Sequence, residues 1–192
     1  GGTLDNDNSG SLRYVRVEFA GAAAVLNSEL NSFSFYAVGR GTRLEYLESM
    51  MGLDDSFGWF GGTVDSRYLV SYEAGDEHFY AAEVHRGRHQ FLIAVQSAKS
   101  ALRPGATGGV SAEQNGLEQD GCGATPGTCP AGYNSTPYTM PVFANFTIIG
   151  PGPAAHGTGG WVARAGGDGQ VGMLLRRGVG GTWLNGVVSR WP

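Results

Sequence analysis

Strand-like runs recur along this chain at a nearly fixed interval, and that periodicity constrains the fold more than any single residue does. After successive turns come SLRYVRVEF (Ser11–Phe19), TRLEYLES (Thr42–Ser49), DSRYLVSY (Asp65–Tyr72) and RHQFLIAV (Arg88–Val95). Tyr14, Tyr46, Tyr68 and Phe91 hold equivalent places, and the last two steps are 22 and 23 residues. The first step, 32 residues, needs an insertion, which AGAAAVLNSEL can supply. FANFTIIG (Phe143–Gly150) and TWLNGVVSRW (Thr182–Trp191) fit the same series more loosely.

A second series falls between the first: LNSFSFYAVG (Leu30–Gly39), DDSFGWFGG (Asp54–Gly62) and DEHFYAAEV (Asp76–Val84), with VGMLLRRGVG (Val171–Gly180) as a later member. Aligned, these runs put Phe33, Phe57 and Phe79 in one column, at spacings of 24 and 22. Asp54 then stands over Asp76, and Asp55 over Glu77. A period near 22 residues with two or three short strands is the pattern of a β-solenoid, in which each coil winds once and stacks on the last. A β-sandwich also has short strands and turns, but it does not require columns at a constant offset. Glycine agrees with a turn-rich chain: 33 of 192 residues, about 17%, against an ordinary share near 7%. The corners are expected to hold glycine and Asn/Asp, for which positive φ is cheap. The aromatic columns are expected to stack inside.

Two stretches break the period. Residues 97–137, rich in Gly, Ala, Pro and Thr, read as a loop insertion, and 150–169 as a second irregular loop. The rest of 1–192 reads as one β-helix domain. The chain starts at Gly1 without a signal peptide, so it reads as processed or as part of a longer chain. Cys122 and Cys129, in GCGATPGTC, sit close together in a turn-rich loop. That placement points to a local disulfide and an exported protein. Zinc is the rival, but no second pair stands nearby and His156 lies in another loop. A formal charge of -4 argues against a nucleic-acid partner, and no apolar run is long enough to span a membrane.

The candidate chemistry centres on the acids. Asp54, Asp55, Asp76 and Glu77 would form two carboxylate columns at one corner. Such carboxylates raise each other's pKa or bind a cation, and calcium suits them. The plainer reading is that each Asp caps its own turn, so the corner reads as structural and at best a weak calcium site. His78 beside them could neutralise charge at low pH. DNDNSG (Asp5–Gly10) resembles half a calcium loop, but Arg16 stands where a bidentate Glu belongs, and an Asx-turn explains it. HRGRH could grip an acidic sugar through Arg86 and Arg88, and Trp161 could offer a flat face to one; the plainer reading of HRGRH is a solvated turn. Asp54 with Asp76 could approximate a hydrolase pair. AHG around His156 faintly resembles a glycosidase histidine motif.

SGSLRYVRVEFAG, DDSFGWFGGTVDSRYLVSY and GMLLRRGVGGTWLNGVV resemble a group of secreted bacterial right-handed parallel β-helix proteins, pectate-lyase-like in fold. The pattern D-D-x-F-x-W-F-G-G-T-V-x-x-x-Y-L-V-S recurs in that group. The resemblance runs from about Ser9 to Val188 outside the 97–137 stretch. It implies an all-β, right-handed parallel β-helix and export, with earlier coils before Gly1. Most of the group has no assigned activity, so no catalytic residue is carried over. At GDEHFYAAEV the sequence departs: Glu77 and His78 replace acids and Ala81 replaces an aromatic, which weakens an ion site there.

The expected function is therefore a non-catalytic extracellular or cell-surface scaffold or binding module for polysaccharide or other surface proteins, with no cofactor or with Ca²⁺. A polysaccharide lyase or glycoside hydrolase is the alternative. A filament or matrix subunit that self-associates through solenoid ends is a third.

Overall fold

The computed structural model describes residues 4–25, 28–97, 102–109, 114–121, 132–134, 136–152 and 170–191. The strands, in chain order, are β1 (Ser11–Glu18), β2 (Ala23–Val25), β3 (Ser28–Glu29), β4 (Phe33–Tyr36), β5 (Arg43–Met50), β6 (Phe57–Phe60) and β7 (Ser66–Tyr72). They continue as β8 (Phe79–Ala82), β9 (Arg88–Val95), β10 (Leu117–Asp120), β11 (Val142–Ile149), β12 (Met173–Arg176) and β13 (Thr182–Ser189). Long and short strands alternate through the coils. The long ones pair in parallel as β1-β5-β7-β9-β11-β13, the short ones as β4-β6-β8-β10-β12. This is the expected parallel β-solenoid.

Register confirms the inferred columns. Phe33 pairs with Phe57 and Phe57 with Phe79. Their rings stack at 5.0 Å and 5.6 Å, with interplanar angles of 2° and 20°. All three are buried, and Leu117 and Met173 extend the column. The long strands add inward columns of Leu44–Ser66–His89–Phe143, Leu47–Leu69–Leu92–Phe146 and Ser49–Ser71–Ala94–Ile148.

The second aromatic column departs from expectation. Tyr14, Tyr46, Tyr68 and Phe91 stack at 4.7, 4.6 and 5.1 Å, but on the outside of the solenoid. The cause is backbone conformation. Each has φ of 54–60°, as does Asn145 in β11, and Asn185 in β13 follows at 48°. One left-handed residue in mid-strand bends the chain and shifts the in/out alternation, so residues 44 and 47 both point inward where strict alternation would use 44 and 46. Bulky residues therefore stand at corners where glycine or asparagine was expected. Phe19, Met51 and Glu73, just after long strands, also have positive φ.

The 97–137 stretch is not one loop, as the sequence reading had it. It contains β10, whose four residues Leu117–Asp120 are all buried. LEQD lacks an apolar signature because Glu118 and Asp120 are balanced by ion pairs with Arg176, the last residue of β12, and with Arg177 just after it. The chain thus makes two excursions, on either side of β10. The first is pinned by Arg103, which donates to Met51 O at 2.5 Å and Phe19 O at 3.1 Å and lies over the Phe19 ring. AGAAAVLNSEL does supply the early insertion, as the β2-β3 hairpin. Cys122, Cys129, His156 and Trp161 lie outside the described residues.

A buried polar seam runs between the coils. His85 Nδ1 lies 2.8 Å from the Gly61 carbonyl, so it carries the proton and donates. His85 Nε2 must then accept, and it faces Gly87 N–H and His89 Nε2, the latter at 2.9 Å. His89 Nε2 is therefore the protonated nitrogen, and its Nδ1 accepts from Ser66 Oγ at 2.7 Å. Burial holds His85 down at about 4 and His89 well below its ordinary value, so both stay neutral. The indole of Trp59 packs 4.1 Å from the His89 ring, beneath Ala81 in the next coil.

Phe57 has a ring neighbour in each adjacent coil, so Phe57→Ala leaves a cavity open on two sides. The substitution should cost about 3–5 kcal/mol in chemical denaturation. A loss under about 1 kcal/mol would contradict this register.

Candidate functional site

The corner before each short strand carries the acidic pair. Main-chain hydrogen bonds continue the coil stacking around it: Ser32 N donates to Asp55 O, Ser56 N to Glu77 O and His78 N to Asn115 O, at 2.8–3.0 Å. Asn31, Asp55, Glu77 and Asn115 therefore form one column, and Asp54, Asp76 and Gln114 the next.

Side chains tie the first column together. Asn31 Nδ2 donates to Asp55 Oδ2 at 3.0 Å, and the Glu77 amide donates to Asp55 Oδ1 at 3.1 Å. Asn115 Nδ2 donates to Glu77 Oε1 at 3.1 Å and to Glu118 Oε2 at 2.8 Å. Asp54 Oδ1 accepts from the Asp55 amide at 2.9 Å. Gly58, beside this column, leaves room for the Asn31 amide, because a Cβ there would lie 2.8 Å from Asn31 Nδ2.

Burial pushes Asp54 up to about 6 and Asp55 up to about 7, and raises Glu77 well above the usual carboxylate range. The sequence reading attributed such a rise to mutual repulsion. Repulsion contributes, but desolvation is the larger cause for each group. Nor does His78 neutralise the corner. Its ring points into the solenoid, 2.5 Å from Ser71 Oγ, and burial holds it down at about 3.

The acids open onto a cleft of about 360 Å³ on the outer face of the short-strand sheet. An aromatic row borders it: Tyr36 stacks on Phe60 at 4.8 Å and 15°, and Phe60 meets Tyr80 at 5.5 Å and 50°. Tyr80 Oη donates to Asp120 Oδ2 at 3.0 Å. Glu118, Arg176 and Arg177 line the far side, Glu118 paired with Arg176, and the buried Asp120 pairs with both arginines behind them. A small set of oriented polar groups beside an aromatic wall is suited to holding a hydroxyl-rich ligand.

Of the four acids expected to meet, Asp54, Asp55 and Asp76 each place a carboxylate oxygen within 4.8 Å of the others. Glu77 instead turns toward Asn115 and Glu118. The three oxygens form a donor set that suits a hard cation, short of the six to eight oxygens calcium takes. Arg86 and Arg88 do not enter this cleft: Arg86 pairs with Asp5 at 3.2 Å, and Arg88 pairs with Asp65. The 5–10 stretch turns on itself, with the Gly10 amide donating to Asn8 Oδ1 at 2.8 Å, an Asx-turn geometry.

A family model described as a pectate-lyase-like beta helix domain matches residues 1–192. The chain belongs to that family. No curated protein matches it significantly, and no solved structure does either. Membership in the pectate-lyase-like β-helix family establishes the fold and leaves the cleft to be read from its own residues. Among the described residues, no helix is long and apolar enough to cross a membrane.

The sequence reading missed Asn31, Tyr36, Phe60, Tyr80, Asn115, Glu118, Asp120, Arg176 and Arg177. Tyr36 and Phe60 carried a usable signal, since both fall three places after a column phenylalanine. Tyr80 did not, because it pairs with Gly58 and meets Phe60 only on the diagonal.

The raised Asp55 carboxyl makes a signed prediction. A folded pKa above the unfolded value means the folded state holds its proton longer, so this group's contribution falls as pH rises from about 4 to about 7. Asp55→Asn is neutral in both states, and Asn31 can flip its amide to keep the contact. The variant should melt higher than the parent at pH 8, with the difference vanishing by pH 4. A gain that is constant with pH would show that the charge is not the cause.

Proposed function

We propose that this β-helix domain is an exported, non-catalytic binding module that holds a glycan in the acidic–aromatic cleft. The Tyr36–Phe60–Tyr80 row beside carboxyl and amide groups carries the reading. A sugar offers apolar C–H faces to aromatic rings and hydroxyls to carboxylates, and both partners line one cleft. Three of the lining carboxylates are engaged, Asp55 and Glu77 by amides and Glu118 by Arg176. That engagement favours holding a ligand over moving protons.

Binding to a glycan array should fall at least about tenfold in Tyr36→Ala and in Phe60→Ala, with the melting temperature of Tyr36→Ala kept near that of the parent. Tyr36 is 69% exposed, so its loss opens no cavity. Unchanged binding in Tyr36→Ala would remove the cleft from the reading.

One observation favours glycoside hydrolysis as a second reading. Asp54 is only partly buried, and a carboxyl near 6 is in the range of a general acid. Release of reducing ends from a bound polysaccharide, abolished in Asp54→Asn, would replace the binding reading with this one.

Calcium enters as a weak ligand of Asp54, Asp55 and Asp76. Calorimetric titration should give a Kd no tighter than about 10⁻⁴ M, as in extracellular modules. The affinity should weaken below pH 6, because the ion must displace protons from Asp54 and Asp55. Micromolar binding would contradict the weak site.

A further inference from the structure

Guanidinium groups crowd the outer face of the long-strand sheet, away from the acidic–aromatic cleft. In the register, Arg13 and Arg67 stand on either side of Glu45, and Arg43 and Arg88 stand on either side of Asp65 two places earlier, on the same face. Glu45 is paired with Arg13 at 3.0 Å, Arg43 at 2.9 Å and Arg67 at 2.6 Å. Asp65 is paired with Arg88 and, at 3.6 Å, with Arg40. Five cations thus share two carboxylates, an excess of three positive charges on a chain whose formal charge is -4. A purely structural network would be expected to balance. Glu45 is buried under its arginines, whereas the side chains of Arg43, Arg67 and Arg88 are 51%, 50% and 62% exposed. Each guanidinium has five N–H donors, more than one shared carboxylate can take up.

The adjoining ring ladder packs against two of these groups. Arg13 lies 5.1 Å from the Tyr14 ring centroid and Arg67 5.7 Å from that of Tyr68. The left-handed corner does not itself call for aromatics, since Asn145 and Asn185 occupy it in later coils. What the tyrosines add at that corner is the stack and a face for the arginines.

The arginines line a cleft of about 490 Å³ with Arg40, Arg43, Arg67, Arg88 and the exposed Gln90 on its walls. That is the size of a small-molecule site. The places between the arginines that a single carboxylate would fill are held by Glu45 and Asp65. Within the cleft four arginines face these two carboxylates, and the excess of two positive charges is better met by a phosphate monoester, with a charge of about -1.5 to -2 and three acceptor oxygens. Gln90 supplies a neutral donor and acceptor for hydroxyls beside it.

We propose that this arginine-lined cleft binds a phosphate monoester carried on a sugar, at a site separate from the acidic–aromatic cleft. Calorimetric titration at low salt with a hexose 6-phosphate, inorganic phosphate, a hexuronate and the unmodified hexose tests it. The hexose phosphate should bind, inorganic phosphate about threefold or more weaker, the hexuronate about tenfold or more weaker, and the hexose undetectably. Arg43→Gln with Arg88→Gln should weaken the hexose phosphate at least about tenfold while leaving the melting temperature within a few degrees. Tyr68→Asn, which keeps a residue suited to the corner backbone, should weaken it several-fold. The proposal is overturned if the hexose phosphate does not bind, if the hexuronate or inorganic phosphate binds as tightly, or if the arginine double variant retains the parent affinity.

Discussion

Each coil pairs with the next in parallel at a single register, and everything else in the molecule depends on that pairing. Backbone hydrogen bonds set a repeat of about 4.8 Å between coils. A side chain therefore meets the same position of the coil above and the coil below. Inside, this turns phenylalanines, leucines and serines into continuous columns. Outside, it turns isolated tyrosines into a ladder, arginines and acids into alternating rows, and Asp55, Glu77 and Asn115 into a hydrogen-bonded series. A group that would be solvated on an isolated strand is desolvated by its own repeats, which is why Asp55 and Glu77 resist ionisation.

The same stacking explains how a solenoid tolerates polar groups in its interior. Ser32 with Ser49, and Ser56 with Ser71, exchange hydroxyl hydrogen bonds at 2.8 and 2.7 Å, and His78 extends the second pair. The Ser66–His89–His85–Gly61 chain runs in one direction, each donor having an acceptor, so neither imidazole needs a charge. A satisfied network of this kind fixes the relation between coils more sharply than apolar packing alone.

Much of the fold was legible in the sequence, because the short-strand runs keep near-constant spacing and place Phe33, Phe57 and Phe79 in line. The placement of the tyrosine ladder was not. A left-handed residue in mid-strand breaks the period-2 alternation, and nothing in YVR or YLE marks Tyr14 or Tyr46 as that residue. β10 was hidden for an electrostatic reason, since LEQD reads as surface until Arg176 and Arg177, more than 50 residues later in the chain, are brought beside it. The acidic corner was legible as two stacked pairs. Its far wall was not, because Glu118 and the two arginines come from later coils, more than 40 residues beyond the acidic pairs.

The claim that coils stack at this register is tested most directly by double-mutant cycles along one interior column. Leu47 and Leu69 are neighbours, whereas Leu47 and Leu92 are two coils apart with Leu69 between them. Leu→Ala cycles, read by denaturant unfolding, should give a coupling of about 0.5–3 kcal/mol for Leu47 with Leu69. Leu47 with Leu92 should be additive within about 0.5 kcal/mol. Additivity for the adjacent pair, or equal coupling for both pairs, would contradict the stacked columns on which the account rests.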